Sequence, residues 1–409
     1  MQKNYLFNYE YKNAKNFFER GKKSYIYIDK KKFIDLGYCA GSLILGHNSN
    51  VLKNSFKLLL KNDISNFATT NVHAVNLSKT IKKILPHYSK FIFCNSGTEA
   101  VFKSLRICKA ITNNKKIISV VGNWHGSVEN TLYSADKNLR PKKISDGLSK
   151  SSKKNIVFIP YNNIKLSKKI LNHHKNKIQC IIVEPIQGCL PQENAKKYLK
   201  FLENFSKINK SILVFDEMIT GLRTDCKSVQ SIYNIKPDIS TFGKCFGGGM
   251  PIGFIALNKK IITAIEKKNL KIFFGGTFSG NSVSMYVANR NIKYIIKNKK
   301  KIFSKINGFA KQFQKNINGY CISNSINARV VKFKSMVRVI FSKEKIHNRI
   351  QRDFWEKDKN ELIVKFKRYL FDKRIHYPDN GNIFFAYSLS KKDLEYLIKT
   401  FKMALKSFF

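Results

Sequence analysis

Between residues 91 and 256, short apolar runs alternate with helix-spaced segments, and that alternation restricts the chain to a small set of folds. The runs are Phe91–Cys94, Lys116–Val121, Ile156–Ile159, Cys180–Val183, Ser211–Phe215 and Ile252–Ala256. Nearly continuous apolar strands separated by helices indicate a buried, mostly parallel α/β sheet. Segments near 48–62 and 74–86 also have helical spacing. Ahead of them, a helix is followed by a hairpin of Ser24–Asp29 and Lys32–Leu36 about a Lys-rich turn. Past Asn281 the pattern changes to a long Lys-rich helix, strands such as Met336–Phe341, and a terminal helix from about Lys391. The expected division is an N-terminal segment (1–64), a large α/β domain (65–285) and a small C-terminal α+β domain (286–409).

Composition excludes several classes. A chain of 409 residues is long enough for more than one structural unit around a substantial core. No apolar run approaches the roughly 18 to 20 residues that span a bilayer, and Met1-Gln-Lys-Asn-Tyr5 lacks the apolar stretch of a signal peptide. A cytoplasmic protein is the expectation. The eight cysteines are scattered, with no CxxC pair and no His/Cys cluster at ligand spacing, so neither a disulfide framework nor a metal site is expected. The net charge of +50 resembles a nucleic-acid footprint. Lys greatly outnumbers Arg, however, and is spread through every expected helix beside abundant Asn and Ile, as in a strongly A+T-rich coding sequence. No nucleic-acid-binding motif accompanies the charge, so no specific nucleic-acid partner is expected. Attraction to acidic substrates is physically reasonable.

In open α/β sheets, ligands lie beyond the carboxyl ends of the strands, and the informative residues fall there. Asn95-Ser-Gly-Thr-Glu-Ala100 follows the first strand and opens a helix, where Ser96 and Thr98 beside free backbone N–H groups can cradle a phosphate. An ordinary Ser/Thr N-cap explains the same residues. Asp216 ends a buried strand and needs a partner. That partner is a protonated ring nitrogen of a cofactor or, structurally, Arg223, unless the carboxylate merely caps the strand end. Trp124, in Asn123-Trp-His-Gly126, can stack on a ring or pack in the core. Glu184 is a site carboxylate or a capped turn residue. Thr277, in Gly275-Gly-Thr-Phe-Ser-Gly-Asn281, is a second phosphate donor or part of a Gly-rich turn. Lys244 stands before a glycine run in an apolar setting, where a lysine can lose its proton and form an imine with a carbonyl compound.

The order of these segments resembles the class III aminotransferases of pyridoxal-phosphate (PLP) fold-type I, and among them most resembles the glutamate-1-semialdehyde 2,1-aminomutases. The segments that carry the likeness are Ile44–His47, Asn95–Ala100, Trp124–Gly126, Glu184-Pro185, Asp216–Arg223, Gly243–Gly253 and Gly276–Asn281. The resemblance implies PLP as cofactor, with Lys244 as the Schiff-base lysine and Asp216 on the ring nitrogen. It implies Ser96, Gly97 and Thr98 at the phosphate, Trp124 on the ring face beside His125, and Met218 on the opposite face. Glu184 is the third residue assigned to catalysis. A homodimer is implied, in which Thr277 reaches the phosphate held by the other subunit.

The substrates implied are a small amine donor and a carbonyl acceptor, and departures from the family pattern bear on which. Ala40-Gly-Ser-Leu43 replaces a Trp-Gly-Pro-Met run, which should widen the substrate side. Cys189 replaces an asparagine, and Asn380–Ala386 lacks both an acidic residue and a carboxylate-binding arginine. The function expected is therefore a PLP-dependent aminotransferase acting on something other than glutamate semialdehyde, with the aminomutase as the alternative. A basic nucleic-acid-binding protein on a decayed enzyme fold is the remote one.

Overall fold

A seven-stranded sheet gathers the strand-end motifs onto one edge. The computed structural model describes residues 17–409, and the helix expected ahead of the hairpin falls outside them. In chain order the strands are β1 Phe18–Lys22, β2 Tyr25–Ile28, β3 Lys31–Asp35, β4 Lys90–Cys94, β5 Lys116–Val120, β6 Tyr133–Ala135, β7 Pro141–Lys143, β8 Ile156–Ile159, β9 Ile178–Val183, β10 Ile212–Asp216, β11 Ile239–Gly243, β12 Gly253–Leu257, β13 Arg329–Phe333, β14 Met336–Ile340, β15 Ile375–His376 and β16 Asn382–Phe384. The central sheet is ordered β4-β12-β11-β10-β9-β5-β8. Strands β8, β5, β9, β10 and β11 pair in parallel, whereas β12 is antiparallel to both β11 and β4. The expected α/β fold is present, as a mostly parallel sheet with one reversed strand.

Every residue of β9, β10, β11 and β12 is buried, as in strands covered by helices on both faces. Each fully buried Ile, Val or Phe there contributes roughly 1.5–3 kcal/mol. Strand β11 escapes a reading of apolar runs because Ser240, Thr241 and Gly243 interrupt it. Its hydroxyls are satisfied internally: Ser240 Oγ lies 2.5 Å from Tyr88 Oη, and Thr241 Oγ1 donates to Asp216 Oδ1. Reversal of β12 brings Gly253 opposite Cys94 and Gly243. A β-carbon at 253 would stand 2.0 Å from Ser96 O, so only glycine lets β12 start beside the Ser96 turn.

The long helix expected after Asn281 is two helices, Ser282–Lys297 and Lys299–Ser323. They break at Asn298, whose Nδ2 donates to Tyr294 O at 2.9 Å. An Asn side chain bonded to nearby backbone competes with helix continuation. Strands β13, β14 and β16 form an antiparallel C-terminal sheet, followed by the terminal helix Lys391–Phe408, which opens on a Ser390/Asp393 capping box. Strand β15 leaves that unit and pairs in parallel with β3, so the N-terminal hairpin and the C-terminal unit share one four-stranded sheet. One apolar core runs from Ile34 and Leu36 through Phe246 and Phe254 to Phe385 and Phe401.

Candidate active site

At the carboxyl edge of the central sheet lies a cavity of about 440 Å³, reached by Lys244, Asp216, Glu184, His125, Trp124 and Met218. Lys244 follows the last residue of β11 with φ +45°, a left-handed conformation that non-glycine residues rarely hold. Burial pushes its ammonium below the ordinary lysine range, against the opposing pull of the Glu184 and Asp216 carboxylates. An amine whose ammonium form is disfavoured by burial in a cavity is the better nucleophile for it.

Asp216 ends β10 with both carboxylate oxygens occupied. Its Oδ2 lies 2.8 Å from His125 Nδ1, and its Oδ1 accepts from the Met218 N–H and the Thr241 hydroxyl, each at 3.1 Å. His125, not Arg223, is its partner. The other ring nitrogen of His125, Nε2, is buried and has no partner among the described residues. Glu184 follows the end of β9 and accepts from the Trp124 N–H at 2.6 Å and the Gly188 N–H at 2.9 Å. Burial pushes its carboxyl above the ordinary range, outweighing the pull of His125 and of these two N–H groups. It thus fixes the turn that carries Trp124 while facing the cavity.

At the other end of the cavity, Ser96 is the N-cap of the helix Gly97–Thr112 and its hydroxyl accepts from the Glu99 N–H at 3.1 Å. Of the two readings open for Ser96, the hydroxyl serves the cap. The N–H groups of Gly97 and Thr98 precede the first helical hydrogen bond, Ala100 N–H to Ser96 O, and stand at the positive end of the helix dipole. The cradle is lined by glycine. A β-carbon on Gly126 (φ +74°) would stand 2.4 Å from Thr98 Oγ1, and one on Gly97 would stand 2.9 Å from Met218 Cε. Trp124 is 56% exposed at the mouth rather than packed in the core. Thr277 lies in an exposed loop outside this cavity. The donor set fits the cofactor expected from the sequence: an amine whose ammonium form burial disfavours, an anion cradle at a helix start, and a buried carboxylate–imidazole pair.

The outer wall is built by a segment to which the sequence assigns no catalytic role. Tyr38, Cys39 and Ala40 have φ of +43°, +53° and +51°, three successive non-glycine residues in the left-handed region. Such residues cost about 1–2 kcal/mol each. Asp35 holds the start of this run, accepting from the Gly37 and Tyr38 N–H groups at 2.7 and 2.9 Å. It also pairs with His47 Nε2 at 2.7 Å and His376 Nδ1 at 2.8 Å. Arg223, wholly buried, holds its end by donating to Gly41 O, and ties it to Ser335 Oγ and Phe385 O. Cys39 and Ser42 face the cavity; Ala40 is exposed beside them, so any widening at this wall comes through its neighbours. Asn95, Ile219 and Met250 also line the cavity; they fall within segments that carry the family likeness, although no role was expected of them individually. Among the described residues, no group of three His, Cys, Asp or Glu side chains is placed to hold a metal ion, and no helix is long and apolar enough to cross a membrane.

Residues 6–356 match the family model described as Aminotransferase class-III. The chain is 29% identical over 396 residues to a glutamate-1-semialdehyde 2,1-aminomutase from Clostridium novyi, covering 95% of this chain and 90% of that protein. A protein of the same name from Thermosipho africanus is 30% identical over 405 residues, with 95% and 92% covered. Solved structures with this fold include an omega-transaminase from Sphaerobacter thermophilus, with TM-score 0.86, 19% identity, and 96% and 91% of the two chains covered. They also include a glutamate-1-semialdehyde-aminomutase from Pseudomonas aeruginosa, with TM-score 0.86, 14% identity, and 96% and 88% covered.

Proposed function

This chain belongs to the class III aminotransferases, PLP-dependent enzymes that transfer or isomerise an amino group, and from that premise we propose that it is an aminotransferase whose acceptor is not glutamate 1-semialdehyde. The observation that carries the reading is Lys244, an amine below its ordinary range at the end of β11, facing Asp216 and Glu184 across one cavity. When bound, the cofactor supplies an aromatic ring able to accept the electrons left on a substrate carbon that loses its proton. Lys244 tethers it and then carries the proton to and from that carbon. Asp216, immobilised by His125 and Thr241, presents a fixed negative charge that keeps a proton on the ring nitrogen. The N–H groups of Gly97 and Thr98 take the phosphate. Trp124 and Met218 bound the two ring faces, and Glu184 fixes the turn that places Trp124.

The left-handed Tyr38–Ala40 run supports an altered acceptor, because it borders the cavity where the sequence departs from the aminomutase pattern. The aminomutase names of the curated relatives favour the second reading. Purified protein incubated with glutamate 1-semialdehyde decides between them: efficient formation of 5-aminolevulinate would establish the aminomutase and exclude the aminotransferase. We place Thr277 in a homodimer contact, supported by exposed Phe67, Val72, Phe273 and Phe278 near its loop. A monomeric mass in solution would remove that role. The cytoplasm is the proposed location.

A further inference from the structure

Among the described residues, Lys103 alone of the lysines is almost wholly screened from solvent, at 5% exposed. A buried ammonium is costly unless it is paired and hydrogen-bonded. Lys103 lies on the helix Gly97–Thr112, whose first N–H groups form the anion cradle, but it does not line the cavity. Its Nζ lies 3.4 Å from Glu99 Oε2, one turn earlier on the same helix, and donates to Ser279 Oγ at 3.2 Å. A Glu–Lys pair at this spacing forms equally well on an exposed helix face. The bond to Ser279 is the one that reaches another segment, and that segment is the loop carrying Thr277.

Ser279 closes a tight turn. Its N–H donates to Gly276 O at 2.8 Å, which puts Thr277 and Phe278 at the two central positions. A β-carbon on Gly276 would stand 2.7 Å from Ser279 Oγ, so the missing side chain there leaves room for the hydroxyl that Lys103 holds. Both ends of the loop are tied as well. Arg106 Nη1, from the same helix as Lys103, donates to Phe273 O at 2.6 Å, and Asn71 Nδ2 donates to Gly280 O at 2.8 Å. Between these ties Gly275, Gly276, Thr277 and Phe278 are exposed, and Thr277 stands outside this subunit's own cavity. A turn fixed at its base and bare at its tip is built to present Thr277 to another molecule.

We propose that Lys103 is a positioning residue for the Thr277 turn, so that the helix cradling one subunit's phosphate also sets the contact which that subunit lends to its partner's phosphate. This rests on the homodimer reading of Thr277. The ammonium orients Ser279, whose N–H closes the turn, and thereby fixes the direction of the Thr277 hydroxyl. A hydrogen bond from a charged donor locks such a supporting side chain more firmly than a neutral one does.

The test is titration of the full-length protein with PLP, read from the visible band of cofactor bound to Lys244. Lys103→Met, and Ser279→Ala, which leaves every charge in place, each raise the dissociation constant roughly tenfold, as loss of one hydrogen bond to a charged group does. The mass in solution and the melting temperature of the cofactor-free protein stay as in the wild type. Mixed dimers then separate the two subunits. One copy carries Lys244→Ala, so that only the other copy's cavity gives the band, and Lys103→Met is placed on either copy. It weakens binding when it is on the Lys244→Ala copy, which lends its loop to the site observed. Equal or greater weakening when it shares a copy with the intact Lys244 overturns the proposal, because the charge would then act on its own cradle. Wild-type affinity in Lys103→Met overturns it as well. A monomeric mass for the wild type would instead overturn the homodimer reading, and absence of the band in the wild type the role given to Lys244. If Lys103→Met fails to fold, Ser279→Ala in the same mixed dimers decides the question: wild-type affinity overturns the proposal.

Discussion

The two walls of the cavity are built on different principles. The inner wall is the carboxyl edge of the sheet: Thr98, Trp124, His125, Glu184, Asp216 and Lys244 all follow closely on strand ends and are held by neighbours on adjoining strands. The outer wall combines Cys39 and Ser42 with the Gly249–Ile252 turn, backed by residues from the C-terminal unit. It is held by clamps between distant segments, Asp35 with His376 and Arg223 with Phe385. Chemistry thus rests on regular structure, whose geometry backbone pairing fixes. The wall to which we assign the acceptor is a strained run that two buried charged side chains keep in place. On this reading, changes in the inner wall fall on the chemical step, and changes in the outer wall fall more on substrate binding.

Removing Lys244 tests the inner wall most severely. In Lys244→Ala, turnover falls by at least about 10⁴-fold, as expected when one group is both nucleophile and proton carrier, while the melting temperature stays near the wild type. A smaller loss would show that another base serves the reaction. Asp216→Asn comes next, with kcat lowered roughly 10²–10³-fold through loss of the fixed charge and an altered spectrum of bound cofactor. In the outer wall the signature reverses. Asp35→Asn destabilises the fold by about 3 kcal/mol, because two histidines and two backbone N–H groups lose their shared anion, and it raises KM more than it lowers kcat. Equal changes in kcat and KM for Asp35→Asn would erase the distinction between the walls.

The smallest effects are in the pH dependence of stability, where each wall supplies one carboxylate. Burial opposes ionisation of Asp35, but hydrogen bonds from His376 and His47 outweigh it and hold the carboxyl well below its usual range. Asp35 therefore contributes stability that is present above about pH 4 and is lost as pH falls further. Glu217, beside Asp216, accepts from the Val229 and Gln230 N–H groups and the Thr220 hydroxyl but pairs with no cation among the described residues. Burial wins there and pushes it up to about 7. Its contribution is complete below about pH 4.5, the unfolded carboxyl range, and declines by up to about 3 kcal/mol as pH rises to 7 and beyond. Denaturant titrations should show this decline flattened in Glu217→Gln and the acid limb flattened in Asp35→Asn. An unchanged neutral limb in Glu217→Gln would contradict the assignment.

Legibility in the sequence follows the same division. Asp216, Glu184 and Trp124 stand out because the strand that places each one immediately precedes it in the chain. The pairing of Asp216 stays open at that level, since choosing His125 over Arg223 requires knowing that β5 and β10 both flank β9. Strand β11 is hidden although it carries Lys244, because its small polar residues are buried yet hydrogen-bonded. The reversal of β12 leaves no trace in an apolar run, which reads alike in either direction. The outer wall is the hardest to read: Asp35 and His376 are 341 positions apart, and no local pattern records that contact. His47 does belong to a segment that carries the family likeness, but its bond to Asp35 is visible only in the fold.

The pairing of β3 with β15 also affects how the chain is made. Contacts of such long sequence separation form late and slowly, and domains emerging from the ribosome fold in N-to-C order. The large sheet can assemble once β12 has been synthesised, yet Ile34 and Asp35 must wait for Ile375 and His376. Through most of its synthesis, therefore, the N-terminal hairpin is an orphan edge with unpaired backbone groups. A nascent chain that stalls before residue 375 can hold the cofactor-side residues in place but has no finished mouth.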